Sequence, residues 1–454
     1  MTRQATRLST EDHELLLRLL RVPTVNPLEG GVSEIAAAQR LYAAAAATAG
    51  FTTVHHAAPD PGVLDREDVP LLVRHRAREP GFLATQPSLV LRLGPADVPT
   101  VMFNVHLDTV AGQVPVGFDG TRFTGRGAVD AKGPAVALLA GVRAARPVLG
   151  RDVAVLVQAV AGEEGGAMGT YGTRPLVEAG FTGRLNVFCE PTGLRYATRS
   201  TAAMTACVSV DGDGSIDDRP DAGHNATVLL GFLAQHLAAE LDGAEPEGRV
   251  CVAGLYTGTA HNRVYGTGRL LLNLSYPSLA AGRRSEQRLT DAVRTGIAAF
   301  RGRFGDSREL RRTAADATRI VSLRWHKRGL PALDCRDSWA TGLLDAAGVA
   351  AWPADEPPFT CDAIWLQDVP GTATVVLGPG CLAANNAHAD GEYAELSQLD
   401  TFADTVTRVL TEFAARCAHE ENHGQHDVRD LPPHRGAGAL PGPAVVHRAA
   451  VPRP

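Results

Sequence analysis

An α/β layered domain interrupted by an inserted α+β domain is the fold the sequence predicts, and three observations carry it. Short apolar runs rich in Val and Leu alternate with helical stretches, as they do when strands are buried on both faces of a layered sheet. Between about residues 201 and 325 the order changes to β-α-β-β-α-β, the ferredoxin-like pattern. The chain has 454 residues, enough for more than one core.

The elements follow from the N-terminus. Leu15–Leu20 and Ile35–Ala47 are apolar at helical spacing, and Val25-Asn26-Pro27 breaks the pattern between them. Ser88–Leu93, Thr100–Val105, Val153–Val160, Asn186–Cys189 and Thr372–Leu377 read as buried strands, with a helix at Pro134–Arg146. In the insertion, a strand at Met204–Asp211 leads to a helix at Asn225–Leu241. Strands at Arg249–Thr257 and Arg269–Tyr276 follow. Leu289, Val293, Ile297 and Phe300 then fall on one helical face, and Thr318–Arg324 closes the unit as a strand. The main sheet resumes after about residue 330. A last amphipathic helix with Leu399, Phe402, Val406, Leu410 and Phe413 ends near Cys417. The expected division is 1–200 and 326–418 for the catalytic domain, 201–325 for the insertion, and 419–454 for a disordered tail rich in His, Pro, Gly and Arg. The tail histidines are too irregularly spaced to read as a metal tract.

Composition narrows the function classes. The net charge of −6 argues against nucleic acid or an anionic membrane as a partner. No apolar run is long enough for a transmembrane helix, and Met1–Arg21 lacks the layout of a signal peptide. A cytoplasmic protein is expected. The seven cysteines are scattered without a CxxC, so neither a disulfide framework nor a thiolate zinc site is expected. Only Lys132 and Lys327 are lysines. Lys132 stands out because it lies in a Gly-flanked stretch.

Five short segments carry chemistry, most of them just after a strand, where open α/β sheets place their sites. In Val105-His106-Leu107-Asp108-Thr109, a His and an Asp two apart can act as ligand and orienter. In 125–134, Asp130 precedes a helix with an early Pro; the plain alternative is a helix cap. Glu163 and Glu164 follow a buried strand, and two carboxylates in one pocket repel unless a cation lies between them; the alternative is a solvated loop. Glu190 ends another strand, and His388 sits in 385–393; each read alone suits an ordinary surface loop. Together they supply His, Asp, Glu, Glu and His without thiolate. That set suits zinc, cobalt or manganese, and two metals if one carboxylate bridges.

The segments HLDTV, GRGAVDAKGP, EEGG, CEPTG and AHADGEY, in that order, resemble the di-zinc family of acetylornithine deacetylase, succinyl-diaminopimelate desuccinylase, aminoacylase and glutamate carboxypeptidase. The resemblance covers about residues 10–416. Its GRGAVDAKGP wording is similar to hydrolases that release lysine or ornithine from an amino-group carrier protein. It implies a mixed-sheet, zinc-exopeptidase-like catalytic domain with a ferredoxin-like lid that also dimerises. It also implies roles: His106 and Glu190 on the first metal, Glu164 and His388 on the second, Asp130 bridging, Asp108 orienting His106, and Glu163 as general base.

The lid departs from the resemblance. The stretch 211–220 lacks the family's His, which leaves His224 and His261 as candidates beside Asn262; the alternative is a helix cap and a loop residue. The strand Leu272–Tyr276 lacks the Arg that grips a substrate carboxylate, which leaves Arg263 or Arg269. Gly378 and Gly380, with Thr360–Ala363, match pocket-lining stretches; Cys361 has neither a helix start nor a His beside it in sequence to make it a nucleophile. The function these features imply is metal-dependent hydrolysis of an amide in an N-acyl amino acid or small peptide. An acyl-transfer enzyme on the same site and a catalytically dead binding protein are the alternatives. A small-molecule substrate and a homodimer formed through the lid are the expected partners.

Overall fold

The computed structural model describes residues 4–429, with side chains to residue 420. Its main sheet has six strands, in the spatial order Thr52–Ala57, Ser88–Leu93, Ala154–Val160, Thr100–His106, Leu185–Phe188 and Ala373–Val376. Ser88–Leu93 is antiparallel to both its neighbours and the last four strands run parallel, so the sheet is mixed. Thr100–His106 and Ala154–Val160 are buried along their whole length, which is why they read as unbroken apolar runs. The edge strand Thr52–Ala57 is exposed and polar. It carries no apolar pattern, and the sequence signal for it is absent.

Helices cover the sheet. Lys132–Leu149 packs against Leu396–Arg429, and Gly141 lets the two backbones meet: a Cβ there would lie 2.6 Å from the carbonyl oxygen of Ala403. Thr10–Arg21 begins with a reciprocal cap, in which Ser9 Oγ accepts from Asp12 N–H at 3.2 Å and the Asp12 carboxylate accepts from Ser9 N–H at 2.8 Å. Its other end is closed by Lys132, whose buried Nζ donates to the carbonyls of Leu19 at 3.1 Å and Val22 at 3.0 Å. A cation over helix-end carbonyls meets both their hydrogen-bond and dipole demands. The lysine that stood out in the sequence therefore fastens two helices. Lys132→Met should lower the midpoint of urea unfolding by an amount worth about 2–3 kcal/mol, with bound metal unchanged; an unmoved midpoint would contradict the fastening role.

The insertion forms its own antiparallel sheet in the order Arg249–Tyr256, Thr267–Tyr276, Ala202–Asp211 and Val321–Lys327. Helices Ala226–Leu241 and Leu279–Phe304 cover one face. Two expectations change here. Thr318–Ile320 is helical, not strand: it ends an additional helix, Arg311–Ile320, whose buried face is made of Thr313, Ala314, Ala317 and Ile320. Three of those four are small or polar, and the apolar period is correspondingly faint. The final helix continues to Arg429, past its expected end near Cys417. The rest of the expected tail, 430–454, lies outside the described residues. No helix among the described residues is long and apolar enough to cross a membrane.

Candidate metal centre

Strand ends and the turns that follow them bring the five segments to one place. His106 closes the fully buried strand Thr100–His106. Its Nδ1 lies 2.9 Å from the carbonyl oxygen of Asp108 and 3.8 Å from the Asp108 carboxylate. The nearer partner is thus the backbone, and it directs Nε2 into the site. The Asp108 carboxylate has another role. It accepts from Asn26 Nδ2 at 2.9 Å and from Glu164 N–H at 3.1 Å, with Glu163 N–H at 3.4 Å, and so ties the Glu163-Glu164 turn to the His106 strand.

Asp130 lies between the two histidines. One oxygen is 2.7 Å from His106 Nε2 and the other 3.1 Å from His388 Nε2. That is the placement a bridging carboxylate needs. The Asp130–Ala131 peptide is cis. Glu164 approaches His388 at 3.1 Å and Glu190 approaches His106 at 3.9 Å. Ligand atoms of His106, Asp130 and Glu190 lie within 4.8 Å of one another, as do those of Asp130, Glu164 and His388. Glu163 joins a third such group with His106 and Glu164, and its carboxylate makes no hydrogen bond among the described residues.

The electrostatics of this cluster call for cations. Burial and the neighbouring Glu164 push the Glu163 carboxyl well above the usual range. Burial likewise takes Glu164 to about 7 and Glu190 to about 8. Hydrogen bonds to Asp130 and Glu164 lift His388 to about 10. Burial opposes a charge on His106, yet Asp130, Glu190 and Glu163 push its pKa well up. A cluster whose carboxyls take up protons because they are buried, and buried together, will exchange those protons for metal. The donor set of imidazole and carboxylate, with one carboxylate facing two histidines, fits a pair of divalent ions. His106, Asp130 and Glu190 would hold one and Asp130, Glu164 and His388 the other.

Several supporting residues were given no role of their own in the sequence. Buried Glu392 accepts from Val129 N–H at 3.1 Å and Asp130 N–H at 3.3 Å, and pairs with Arg126 at 2.8 Å. It fixes the backbone that presents Asp130. Asn26 also reaches the Glu164 carbonyl at 2.9 Å and Tyr171 at 3.1 Å. Fully buried Asp362 accepts from Thr173 Oγ1 at 2.5 Å and is lifted to about 7, mostly by burial. Asn26 and Glu392 stand beside Pro and Gly in turn-like sequence, where a polar residue reads as surface; only the tertiary fold buries them.

The lid candidates sit elsewhere. His224 is buried, and both ring nitrogens are engaged inside the insertion: Nδ1 accepts from Asp213 N–H at 2.8 Å and Nε2 lies 2.9 Å from Asp316. The helix cap beside it is Asn225, whose Oδ1 accepts from Val228 N–H at 3.0 Å. His261, Asn262 and Arg263 are exposed between two lid strands. Gly378 and Gly380 act through close packing. A Cβ on Gly378 would fall 2.4 Å from the Glu190 carbonyl oxygen, and one on Gly380 2.3 Å from Val129, so these glycines let the Glu190 and Asp130 segments close together. None of the cysteines belongs to the ligand cluster among the described residues.

Residues 102–412 match the model of peptidase family M20/M25/M40. The chain belongs to this family. A relative from Aeropyrum pernix, named as a LysW-lysine/LysW-ornithine hydrolase, is 33% identical over 195 residues, which are 42% of this chain and 52% of that protein. One of the same name from Pyrobaculum aerophilum is 32% identical over 142 residues, 31% of this chain and 37% of its own. The chain thus aligns with about half the length, or less, of these relatives. Among solved structures, an M20 family metallo-carboxypeptidase from Sulfolobus solfataricus superposes with a TM-score of 0.65 at 11% identity, over 90% of this chain and 100% of that one. A tripeptidase from Staphylococcus aureus gives 0.62 at 15% identity, over 89% and 98%. These structures share the M20 fold, in which the mixed α/β sheet carries a second, smaller sheet.

Proposed function

We propose that this M20 family member is a metal-dependent amidohydrolase that releases an amino acid from an N-acyl amino acid or small peptide. The observation that carries the reading is Asp130 facing His106 with one oxygen and His388 with the other, beside a Glu163 carboxylate that makes no hydrogen bond among the described residues. Zinc is the ion we favour, with cobalt or manganese as substitutes. Bound divalent ions supply Lewis acidity, which makes water a nucleophile near neutral pH and polarises a carbonyl. The protein's own groups do the rest. Glu163 accepts the proton of the attacking water and returns it to the leaving amine. Asp108 and Asn26 hold the Glu163-Glu164 turn against His106, and Glu392 holds the Asp130 backbone. The names of the two relatives make lysine and ornithine the first amines to try. A cytoplasmic location is part of the proposal.

The test is a screen of Nα-acetyl-lysine, Nα-acetyl-ornithine, their N-succinyl counterparts and dipeptides with the zinc-loaded chain, read by amine release. Release from none of them would overturn the hydrolase reading. Product analysis with added amines separates hydrolysis from acyl transfer, and metal content below one ion per chain would favour a dead binding protein.

A dimer through the lid is the assembly we propose. Strand Arg249–Tyr256 is paired on one side only and exposes Val250, Val252, Leu255 and Tyr256 by 37–57%. An open edge of this kind accepts a strand from a second copy. Light scattering should give about twice the 47.8 kDa chain mass; a single-chain mass at micromolar concentration would rule the dimer out.

A further inference from the structure

Arg126 lies between the short strand Arg122–Thr124 and the helix Lys132–Leu149, and it is buried. Its guanidinium grips two separate places. Nη1 donates to the Glu392 carboxylate at 2.8 Å, and Nη2 donates to the carbonyl oxygen of Ala389 at 3.1 Å. Glu392 in turn accepts from the N–H groups of Val129 and Asp130. One side chain therefore connects the peptide that presents Asp130 to the loop that presents His388. A guanidinium spreads its donors over a fixed planar fork, where an ammonium offers a single point. Gly112 leaves that fork its place: its φ is +112°, and a Cβ there would lie 2.7 Å from Arg126 Nη2.

The loop needs a hold at its tip. Its two ends are tied by Asn385 and Tyr393: Asn385 Nδ2 donates to the Tyr393 carbonyl at 3.0 Å, and Tyr393 N–H donates to the Asn385 carbonyl at 3.2 Å. Between them, Asn386 and His388 have φ of +53° and +62°. Residues with a side chain rarely take up this left-handed backbone, and they keep it where their surroundings fix it. The His388 side chain is 49% exposed, so packing holds it weakly. The hydrogen bond from Arg126 falls on the very next residue, Ala389. The ligands of the other ion are set differently. His106 ends one buried strand and Glu190 follows another, Leu185–Phe188, and both are buried. Without Arg126, Glu392 still has the N–H groups of Val129 and Asp130 to accept from, so the Asp130 peptide keeps its support. The guanidinium is thus placed to act on one half of the metal pair.

We propose that Arg126 is a positioning residue: it locks the His388 loop against the Asp130 peptide and thereby sets the affinity of the ion held by Asp130, Glu164 and His388. This rests on the two-ion reading of the cluster. The experiment titrates the metal-free full chain with zinc against a competing chelator and needs no turnover. Arg126→Met should weaken one ion by about 10- to 100-fold and leave the other within about threefold of wild type. Arg126→Lys, which keeps the charge but not the fork, should fall between the two. A His388→Ala background identifies the ion. There one site remains, and adding Arg126→Met should leave its affinity unchanged, because the loop no longer carries a ligand to position. A merely structural role would instead weaken both ions together and would cost the remaining ion again in the His388→Ala chain; either result overturns the proposal, as does wild-type binding of both ions in Arg126→Met. Should Arg126→Met not fold, Arg126→Lys decides by the same readings: one ion weakened and the other kept supports the clamp, and both kept overturn it. Wild type that binds fewer than two ions sinks the two-ion reading and the clamp with it, whereas two ions in wild type and two equally tight in the variants sink the clamp alone.

Discussion

Glu163→Gln should lower kcat by about three orders of magnitude while leaving metal content and thermal midpoint near those of wild type. The size follows from the chemistry, since a positioned general base contributes about 10²–10⁴ in rate. The selectivity follows from the geometry. Glu163 makes no side-chain hydrogen bond among the described residues, whereas Glu164, one residue on, faces His388 at 3.1 Å. Changing Glu163 to its amide keeps the shape and removes only the proton acceptor. It also removes one of several crowded carboxylates, so the metal-free protein should be no less stable. Metal analysis, calorimetric unfolding and steady-state rates on one preparation check all three. A variant that keeps kcat within about tenfold of wild type would mean that another group takes the proton, and one that loses its metals would make Glu163 a ligand.

How much of this was legible depended on where each residue's partners lie. Buried strands such as Ala154–Val160 announce themselves, because burial on both faces leaves an unbroken apolar run. The carboxylates and histidines at their ends could be gathered from the sequence since strand ends converge. Three kinds of feature stayed hidden. Thr52–Ala57 is an exposed edge and has no apolar face to betray it. Glu392 and Asp362 lie fully buried among polar partners that are distant in sequence, so nothing local distinguishes them from surface acids. The bulge at His326 changes which face Lys327 occupies, and only the register opposite Thr205 and Ala206 reveals it. The two lysines show the same limit from another side. Both are equally rare in the sequence, yet one closes a helix end and the other is half-buried at the end of a strand of the second sheet.

Asp130→Ala should abolish measurable turnover and remove the second metal equivalent even at saturating zinc. Among the described residues, Asp130 hydrogen-bonds both histidines of the cluster, at 2.7 and 3.1 Å. Deleting it leaves His106 with Glu190, and His388 with Glu164, too few ligands for two closed sites. The loss should extend to stability. An ion present at about 1,000 times its dissociation constant stabilises the fold by about 4 kcal/mol, so zinc should raise the thermal midpoint of wild type more than that of the variant. The pH dependence has a definite sign. In the metal-free protein Asp130 and Glu164 hold His388 protonated up to about 10, and burial keeps Glu190 protonated up to about 8. An ion must displace those protons. Zinc binding should therefore release protons at pH 7 and tighten as pH rises, which titration calorimetry in two buffers of different ionisation heat measures directly. In Asp130→Ala the largest cause of the raised His388 pKa is gone, so fewer protons should be released per ion bound. Equal zinc stoichiometry and equal proton release in the two proteins would show that Asp130 does not bridge.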